Sequence, residues 1–182
     1  MKVCRSLRIP LIAGAVMMLT VSSARAQDPK VEIGASLASL NFGFGEDNEV
    51  TTFGVPSGGF GFQNPGVFVS LFVGPKVAIE PQIGLFVASQ SGDTFHTVAV
   101  SGQVDYFLKG AQENSPYVFG SVGTIHASGS EENPVSAGFG AGYRIRVGNT
   151  LTFRFDGRYT HISDEGGNVV SFGVSIGGLL GR

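Results

Sequence analysis

The chain has 182 residues, of which 12 are basic, 14 are acidic and 28 are glycine, and its formal charge is −2. This length fits one domain, and the high glycine content disfavours long helices. A surface that binds nucleic acid would be basic, so we expect no nucleic-acid partner.

The first 26 residues are typical of a secretory signal peptide. Three basic residues come first, and an apolar run follows at 10–21. This run is shorter than the roughly 20 residues that a membrane-spanning helix needs. The stretch Ala24-Arg25-Ala26 then has the small-residue pattern of a cleavage site. We therefore expect residues 1–26 to be a signal peptide and residues 27–182 to form one domain.

The mature domain is poor in residues that bind metals or attack substrates. The single cysteine and all three methionines precede residue 27, so the domain offers no disulfide, thiolate ligand or cysteine nucleophile. Its three histidines, His96, His126 and His161, are far apart in the sequence. We interpret them as surface residues rather than as a metal site, and we expect no metal and no cofactor.

Eight segments of the mature domain alternate apolar and polar residues with the period of a β-strand. The clearest is 151–160, in which Leu, Phe, Phe, Gly and Tyr alternate with Thr, Arg, Asp, Arg and Thr. In the first segment the alternation slips near Leu40, which indicates a β-bulge. The predicted strands cover roughly 30–44, 65–73, 77–89, 95–108, 116–126, 135–147, 151–162 and 169–180.

The connections between these strands are of two kinds. Those after the second, fourth and sixth strands carry one acid, whereas those after the first, third, fifth and seventh carry 8 of the 14 acids. The longest predicted loop is 45–64. In an up-and-down barrel the two kinds of connection lie at opposite ends, and membrane barrels have short turns at one end and longer loops at the other. We therefore predict an all-β fold, an eight-stranded antiparallel up-and-down transmembrane β-barrel.

Alternation alone does not say which face of the barrel points inward. A soluble lipocalin-like carrier also has eight strands, with its apolar face inside, and it stays as an alternative. The polar faces of this chain are rich in Gly and Ser, which suits a narrow lumen. Tyr106, Tyr117 and Tyr143 fall near one end of the barrel, where an aromatic girdle would meet a membrane interface. These features favour a polar lumen and an apolar exterior.

Seven charged residues on the polar faces are predicted to form a lumen charge cluster. If 148–150 is a three-residue turn, Arg144 lies opposite Arg154, and Asp156 is diagonal to both. Glu80 or Asp105 could then supply counter-charges from across the lumen. Because eight strands leave little free lumen, we interpret the cluster as an interior plug of ion pairs. It comprises Glu80, Asp105, Arg144, Arg146, Arg154, Asp156 and Arg158.

Several segments resemble the small outer-membrane β-barrel proteins of the OmpA/OmpX type. They are the leader described above, Ala78-Ile79-Glu80-Pro81, Ser115-Pro116-Tyr117-Val118-Phe119-Gly120 and Gly138-Phe139-Gly140-Ala141-Gly142-Tyr143. The resemblance covers nearly all of the mature chain. It implies a place in the bacterial outer membrane and a structural or surface-interaction role. The implied partners are outer-membrane lipids, lipopolysaccharide and the barrel-assembly machinery.

His161 and Ser163 are the one candidate catalytic pair. Their His-x-Ser spacing is similar to that of the lipid A 3-O-deacylase barrels, and this resemblance implies His as the base, Ser as the nucleophile and a Glu as the orienting group. Asp164 stands where that family has Asn, and positions 168–171 of the last strand contain no Glu. We therefore predict no catalytic residues and no enzymatic activity, with a serine hydrolase using His161 and Ser163 as the alternative.

Overall fold

The computed structural model describes residues 31–44, 49–54, 66–90, 93–111, 113–128, 133–163 and 167–180. The predicted signal peptide, Asp164 and the tips of most long loops lie outside these ranges. Within them no helix is long and apolar enough to cross a membrane. The strands are β1 (Val31–Phe44), β2 (Glu49–Gly54), β3 (Val67–Phe72), β4 (Val77–Gln90), β5 (Asp93–Phe107), β6 (Ser115–Ala127), β7 (Val135–Val147), β8 (Leu151–Ile162) and β9 (Asn168–Leu180).

The strands form one closed antiparallel barrel. From β3 onward each strand pairs with the next one along the chain, and β9 pairs with β1 to close the sheet. Both β2 and β3 pair with β1, β2 at residues 39–44 and β3 at residues 31–35. These two short strands therefore share one position, so nine strand segments fill the eight positions of the barrel. The predicted eight-stranded fold is confirmed.

Two details of the first hairpin differ from the prediction. β2 lies inside the segment 45–64 that was predicted to be a loop, so that prediction was wrong for residues 49–54. Pairing with the end of β1 forms this short strand, and its own sequence has no clear apolar face. The predicted bulge is present, but it lies between Ser36 and Ala38, slightly before the predicted position. Beyond it the outward-facing positions of β1 change from odd to even numbers.

The barrel is apolar outside and polar inside. Leu85 is 65% exposed on the outer surface, whereas Glu32, Asp105 and Arg144 are fully buried in the lumen. A lipocalin-like barrel would bury the apolar set instead, so that alternative is wrong. Large apolar side chains that face outward include Ile33, Leu71, Ile79, Ile83, Val100, Val118, Val122, Phe139, Phe155 and Phe172.

One of the three tyrosines predicted to form an aromatic girdle faces the wrong way. Tyr106 and Tyr143 are 45% and 42% exposed on the outside, but Tyr117 is only 2% exposed. It packs in the lumen between Phe107 and Phe119, with ring centroids 5.4 and 5.9 Å away. The girdle prediction is therefore wrong for Tyr117, because the inward face of β6 carries aromatic residues as well as small polar ones.

The end of the barrel that carries the turns 73–76, 108–114 and 148–150 is called the turn end, and the opposite end is called the loop end. At the turn end the connection between β5 and β6 folds over the lumen. The Ala111 backbone N–H donates to the Pro75 carbonyl at 2.8 Å, and the Ala111 side chain is buried. Arg144 donates from Nη1 to the Ala111 carbonyl oxygen. This connection therefore forms a floor beneath the charged lumen.

Candidate functional site

Glu32 on β1 connects two arginine side chains inside the lumen. Its Oε2 accepts hydrogen bonds from Arg144 Nη2 at 2.7 Å and Nε at 3.0 Å. Its Oε1 accepts from Arg154 Nε at 3.0 Å and from the Thr152 hydroxyl at 2.8 Å. A buried carboxylate is stabilised only when its charge is paired and its lone pairs are bonded. Both conditions are met at Glu32.

Arg154 on β8 bridges three carboxylates. Besides Glu32, its Nη1 lies 2.6 Å from Glu80 Oε2 and 3.4 Å from Asp105 Oδ2. Its Nη2 donates to the Ser70 hydroxyl oxygen at 2.8 Å, and Ser70 in turn donates to Glu80. The guanidinium has five N–H donors in a rigid fork, which suits a bridge across the lumen. We call the five ion-paired residues, Glu32, Glu80, Asp105, Arg144 and Arg154, the plug.

Two glutamines link the plug to the middle of the lumen. Gln82 Nε2 donates to Glu80 Oε1 at 2.7 Å and to Gln103 Oε1 at 3.1 Å. Gln103 Nε2 donates to Asp105 Oδ1 at 2.6 Å, and Gln103 Oε1 also accepts from Arg158 Nη2. Both glutamines are buried. The amides therefore fix the orientation of Glu80 and Asp105, two of the three carboxylates that face Arg154.

Aromatic rings fill the space beside the three lumen arginines. The guanidinium of Arg154 lies 4.7 Å from the centre of the Phe68 ring, and that of Arg158 lies 4.8 Å from the Phe119 ring. Arg144 lies 5.2 Å from the Phe72 ring. Such contacts are favourable electrostatically, and they also exclude water. The cavity between Glu80, Gln103 and Arg158, among other residues, is about 10 Å³, room for about one water.

Close packing of the lumen also requires glycine at particular positions. A Cβ at Gly140 would clash with the Phe119 ring and with the Gly157 carbonyl oxygen. A Cβ at Gly142 would come within 2.6 Å of the Tyr117 ring and of the Phe155 carbonyl oxygen. Atoms cannot approach so closely. These glycines of β7 make room for the aromatic side chains of β6.

The structure brings most of the predicted lumen charge cluster together. Arg144 and Arg154 lie directly opposite each other in the β7–β8 register, and Asp156 lies opposite Gly142, two residues further along β8 from Arg154. Arg146 lies nearer the turn end, where its Nε donates to the Gly148 carbonyl at 3.1 Å. Of the seven predicted members, those buried in the lumen are Glu80, Asp105, Arg144, Arg154 and Arg158.

Glu32, which pairs with both arginines of the plug, was not among the residues predicted for the lumen charge cluster. A signal was present, since Glu32 lies between the apolar residues Val31 and Ile33 in a segment predicted to be a strand. The bulge after Ser36 obscured it, because the two halves of β1 then have opposite parity. Reading the first half of the strand alone would have placed Glu32 on the polar face.

A second polar cluster lies on the outer surface at the loop end. Asn168 Oδ1 accepts from the Tyr159 hydroxyl at 2.7 Å and hydrogen-bonds His161 Nδ1 at 3.0 Å. We call these three residues the rim cluster. Ser163 lies just beyond, and its Oγ accepts from the Val135 backbone N–H at 3.0 Å. His161 therefore has a side-chain partner on the last strand, but the partner is an amide where the deacylase resemblance implies a carboxylate.

The other two histidines are separate from the rim cluster. His126 Nδ1 lies 2.7 Å from Asn133 Oδ1, and the His96 side chain is outside the described part of the structure. Among the side chains that are described, no group of three His, Cys, Asp or Glu residues is arranged to hold a metal ion.

Comparison with known proteins agrees with this geometry. The model of the family described as "Outer membrane protein beta-barrel domain" matches residues 11–177. The N-terminal barrel of Pseudomonas aeruginosa OprF is similar in structure, with a TM-score of 0.54 at 15% identity, over 84% of this chain and 100% of that chain. Neisserial surface protein A has a TM-score of 0.55 at 13% identity, over 84% and 96%. No curated protein matches the sequence.

The attachment invasion locus protein Ail of Yersinia pestis, in a complex with the heparin analogue sucrose octasulfate, has a TM-score of 0.50 at 12% identity. That likeness covers 85% of this chain and all of that one.

An apolar exterior around a polar lumen defines an integral β-barrel membrane protein. The family match covers most of the chain. The chain therefore belongs to the outer membrane protein β-barrel family, and it is a protein of the bacterial outer membrane.

Proposed function

We propose that this protein is a non-enzymatic outer-membrane scaffold that acts through its surface. We further propose that residues 1–26 are its signal peptide and that the barrel-assembly machinery assembles it. The observation that carries this proposal is the filled lumen. Arg154 bridges three acids across it, aromatic rings occupy the space beside the arginines, and the 108–114 connection covers the turn end. A barrel closed in this way supports contacts outside it rather than transport through it.

A purified barrel reconstituted in a planar lipid bilayer should show no steady ion conductance, because the plug and the floor obstruct the lumen. The matched variant combines Arg154→Ala with Glu80→Ala. These changes remove one charge of each sign and loosen the packing of the lumen. That variant should conduct measurably more than the parent chain. A steady conductance from the unaltered chain, equal to that of the double variant, would contradict the proposal.

The charge at the loop end indicates which surface partners are suitable. The sequence of the loop-end connections, 45–66, 91–92, 128–134 and 163–167, contains no Lys or Arg, whereas seven acids lie in them and an eighth, Asp93, begins an adjoining strand. Strongly anionic ligands are held by Arg and Lys. A sulfated ligand such as the one bound to Ail therefore has no matching charge here. We propose that this end meets neutral or cationic groups of surface partners.

A lipid A deacylase is the second candidate function. The observation in its favour is the His161–Asn168 hydrogen bond of 3.0 Å, because an amide on the last strand can orient an imidazole. Two observations oppose it. Ser163 Oγ accepts a backbone N–H, and positions 168–171 offer no carboxylate. Replacing an orienting aspartate by its amide in a serine protease, a worked case of the triad, lowers turnover by about 10⁴.

Expression of the chain in a Gram-negative host that lacks its own deacylase should leave the mass of lipid A unchanged. The reason is that the partner of His161 on the last strand is the Asn168 amide rather than a carboxylate, so residual acyl transfer would be slow. Mass spectrometry of extracted lipid A measures the result, with Ser163→Ala as the matched variant. Loss of one 3-hydroxyacyl chain that Ser163→Ala abolishes would make His161 and Ser163 a catalytic site.

A further inference from the structure

The outer wall formed by β8, β9 and β1 contains an apolar groove. Its volume is about 460 Å³, and the small residues Ala38 and Gly157 keep it open on two strands. The bulge next to Ala38 turns β1 at this point. Larger side chains form the banks of the groove, namely Leu40, Phe155, Phe172 and Val174.

The rim cluster lies further along the same strands, toward the loop end. Gly157 of β8 pairs with Phe172 of β9, and four residues further along β8 His161 pairs with Asn168. At about 3.3 Å per residue this separation is roughly 13 Å. The apolar band of an outer-membrane barrel is about 25 Å tall. Because the strands of such barrels are tilted by about 35–45°, the rim cluster lies roughly 10 Å above the groove along the barrel axis. A groove near the middle of the band and a polar cluster toward its loop-end edge match the tail and the headgroup of one lipid in the outer leaflet.

The rim cluster suits a headgroup rich in hydroxyls. Asn168 Oδ1 only accepts hydrogen bonds, so His161 Nδ1 carries the proton in the bond between them. This leaves the His161 Nε2 acceptor and the Asn168 amide donors to meet a ligand. The three groups are a phenol, an amide and an imidazole, and the loop-end connections contain no Lys or Arg that could pair with a phosphate. The Tyr159 ring also packs against the Phe139 ring, with centroids 5.5 Å apart and the ring planes tilted by 43°.

We propose that this wall binds one acylated sugar lipid of the outer leaflet. One acyl chain lies in the groove between Ala38 and Gly157, and sugar hydroxyls hydrogen-bond to His161 and Asn168. The proposal rests on the outer-membrane location of the barrel. It assigns the contact with outer-membrane lipids to one part of the outer wall. A lipid held in this way is retained after detergent extraction, whereas lipids elsewhere on the wall exchange.

The test is native mass spectrometry of the full chain in detergent, with two lipids that share their acyl chains. One is a dioleoyl glycerol that carries galactose, and the other is dioleoyl phosphatidylcholine. The parent chain should retain one galactolipid and prefer it to the phospholipid. Asn168→Leu should lower galactolipid retention about tenfold. The reason is that the variant loses both the amide's hydrogen bonds to the sugar and its hydrogen bond to His161.

Gly157→Leu should abolish retention of both lipids, since its side chain would fill the groove. Gly120→Leu is the matched control on the outer face of β6, where an added Cβ meets nothing nearer than the Gly138 carbonyl oxygen at 4.0 Å, and it should behave as the parent chain does. If Gly157→Leu does not fold, Ala38→Phe blocks the same groove from β1. Equal retention by the groove variants and the control, or equal affinity for both lipids, would overturn the proposal.

A third outcome also counts against it. Dimers that the groove variants dissociate would show that a second copy of the chain occupies the groove. Failure in any of these ways leaves the scaffold proposal standing, because that proposal is tested by the bilayer conductance and by the lipid A spectrum.

Discussion

Arg154→Ala should lower the free energy of unfolding by about 3–5 kcal/mol, the usual cost of removing one partner from a buried ion pair. The cost is large because Glu32, Glu80 and Asp105 all face this guanidinium and would be left as buried charges with less compensation. Arg144 would still neutralise Glu32, but within the described lumen no salt bridge joins it to the other two acids. Urea unfolding of the refolded barrel in lipid vesicles measures the change.

Arg146→Ala is the matched control for this change. Arg146 lies on the same barrel only a few residues from Arg144, but its guanidinium donates to turn carbonyls at an exposed position. Exposed interactions contribute about 0–1 kcal/mol, so the control should unfold close to the parent chain. Equal losses for Arg154→Ala and Arg146→Ala would show that the plug contributes no more stability than an exposed turn.

Val100→Arg should impair insertion into lipid by about 2–4 kcal/mol, the cost of a lipid-facing Arg at the middle of the bilayer. Val100 is the central residue of β5, and it is half exposed on the outer surface. The folded fraction on a gel of unboiled samples measures insertion, because a closed barrel resists detergent and migrates differently once boiled.

Val147→Arg is the matched control at a different depth. Val147 faces outward with similar exposure, but it is the last residue of β7 and lies at the turn end. Near the membrane interface the same substitution costs about 0–1 kcal/mol. Val147→Arg should therefore fold almost as well as the parent chain. If both variants folded equally well in vesicles, the outer wall of the barrel would not be in contact with lipid.

The strands were the part of the fold that the sequence predicted well. The bounds of β7 and β8 agree with the predicted segments, and those of β9 differ by one residue at its start. Alternation is a strong signal here because the lipid and the lumen impose opposite chemistry on successive residues. The position of Arg144 opposite Arg154 followed from the same reasoning, since a short turn fixes the register of the hairpin that it closes.

The missed residues have two different causes. Tyr117 and Phe119 are aromatic but face the lumen, where they pack beside Arg154 and Arg158. Those contacts join separate strands, so the pattern within β6 does not contain them. Glu32 lies in a strand whose parity changes at a bulge, and a single pattern applied to the whole strand therefore hid its place on the polar face.

The ion pairs of Glu32 bear on the order in which the barrel assembles. Glu32 is in the first strand, and its two arginine partners lie 112 and 122 residues later in the chain. An intermediate with only the early strands in place would hold Glu32 without either cation, and one with only the late strands would hold two arginines without their shared acid. Both species carry charges that lipid disfavours. The charges are neutralised only when the two ends of the sheet meet, so a partly assembled barrel in the membrane is less stable than the closed one.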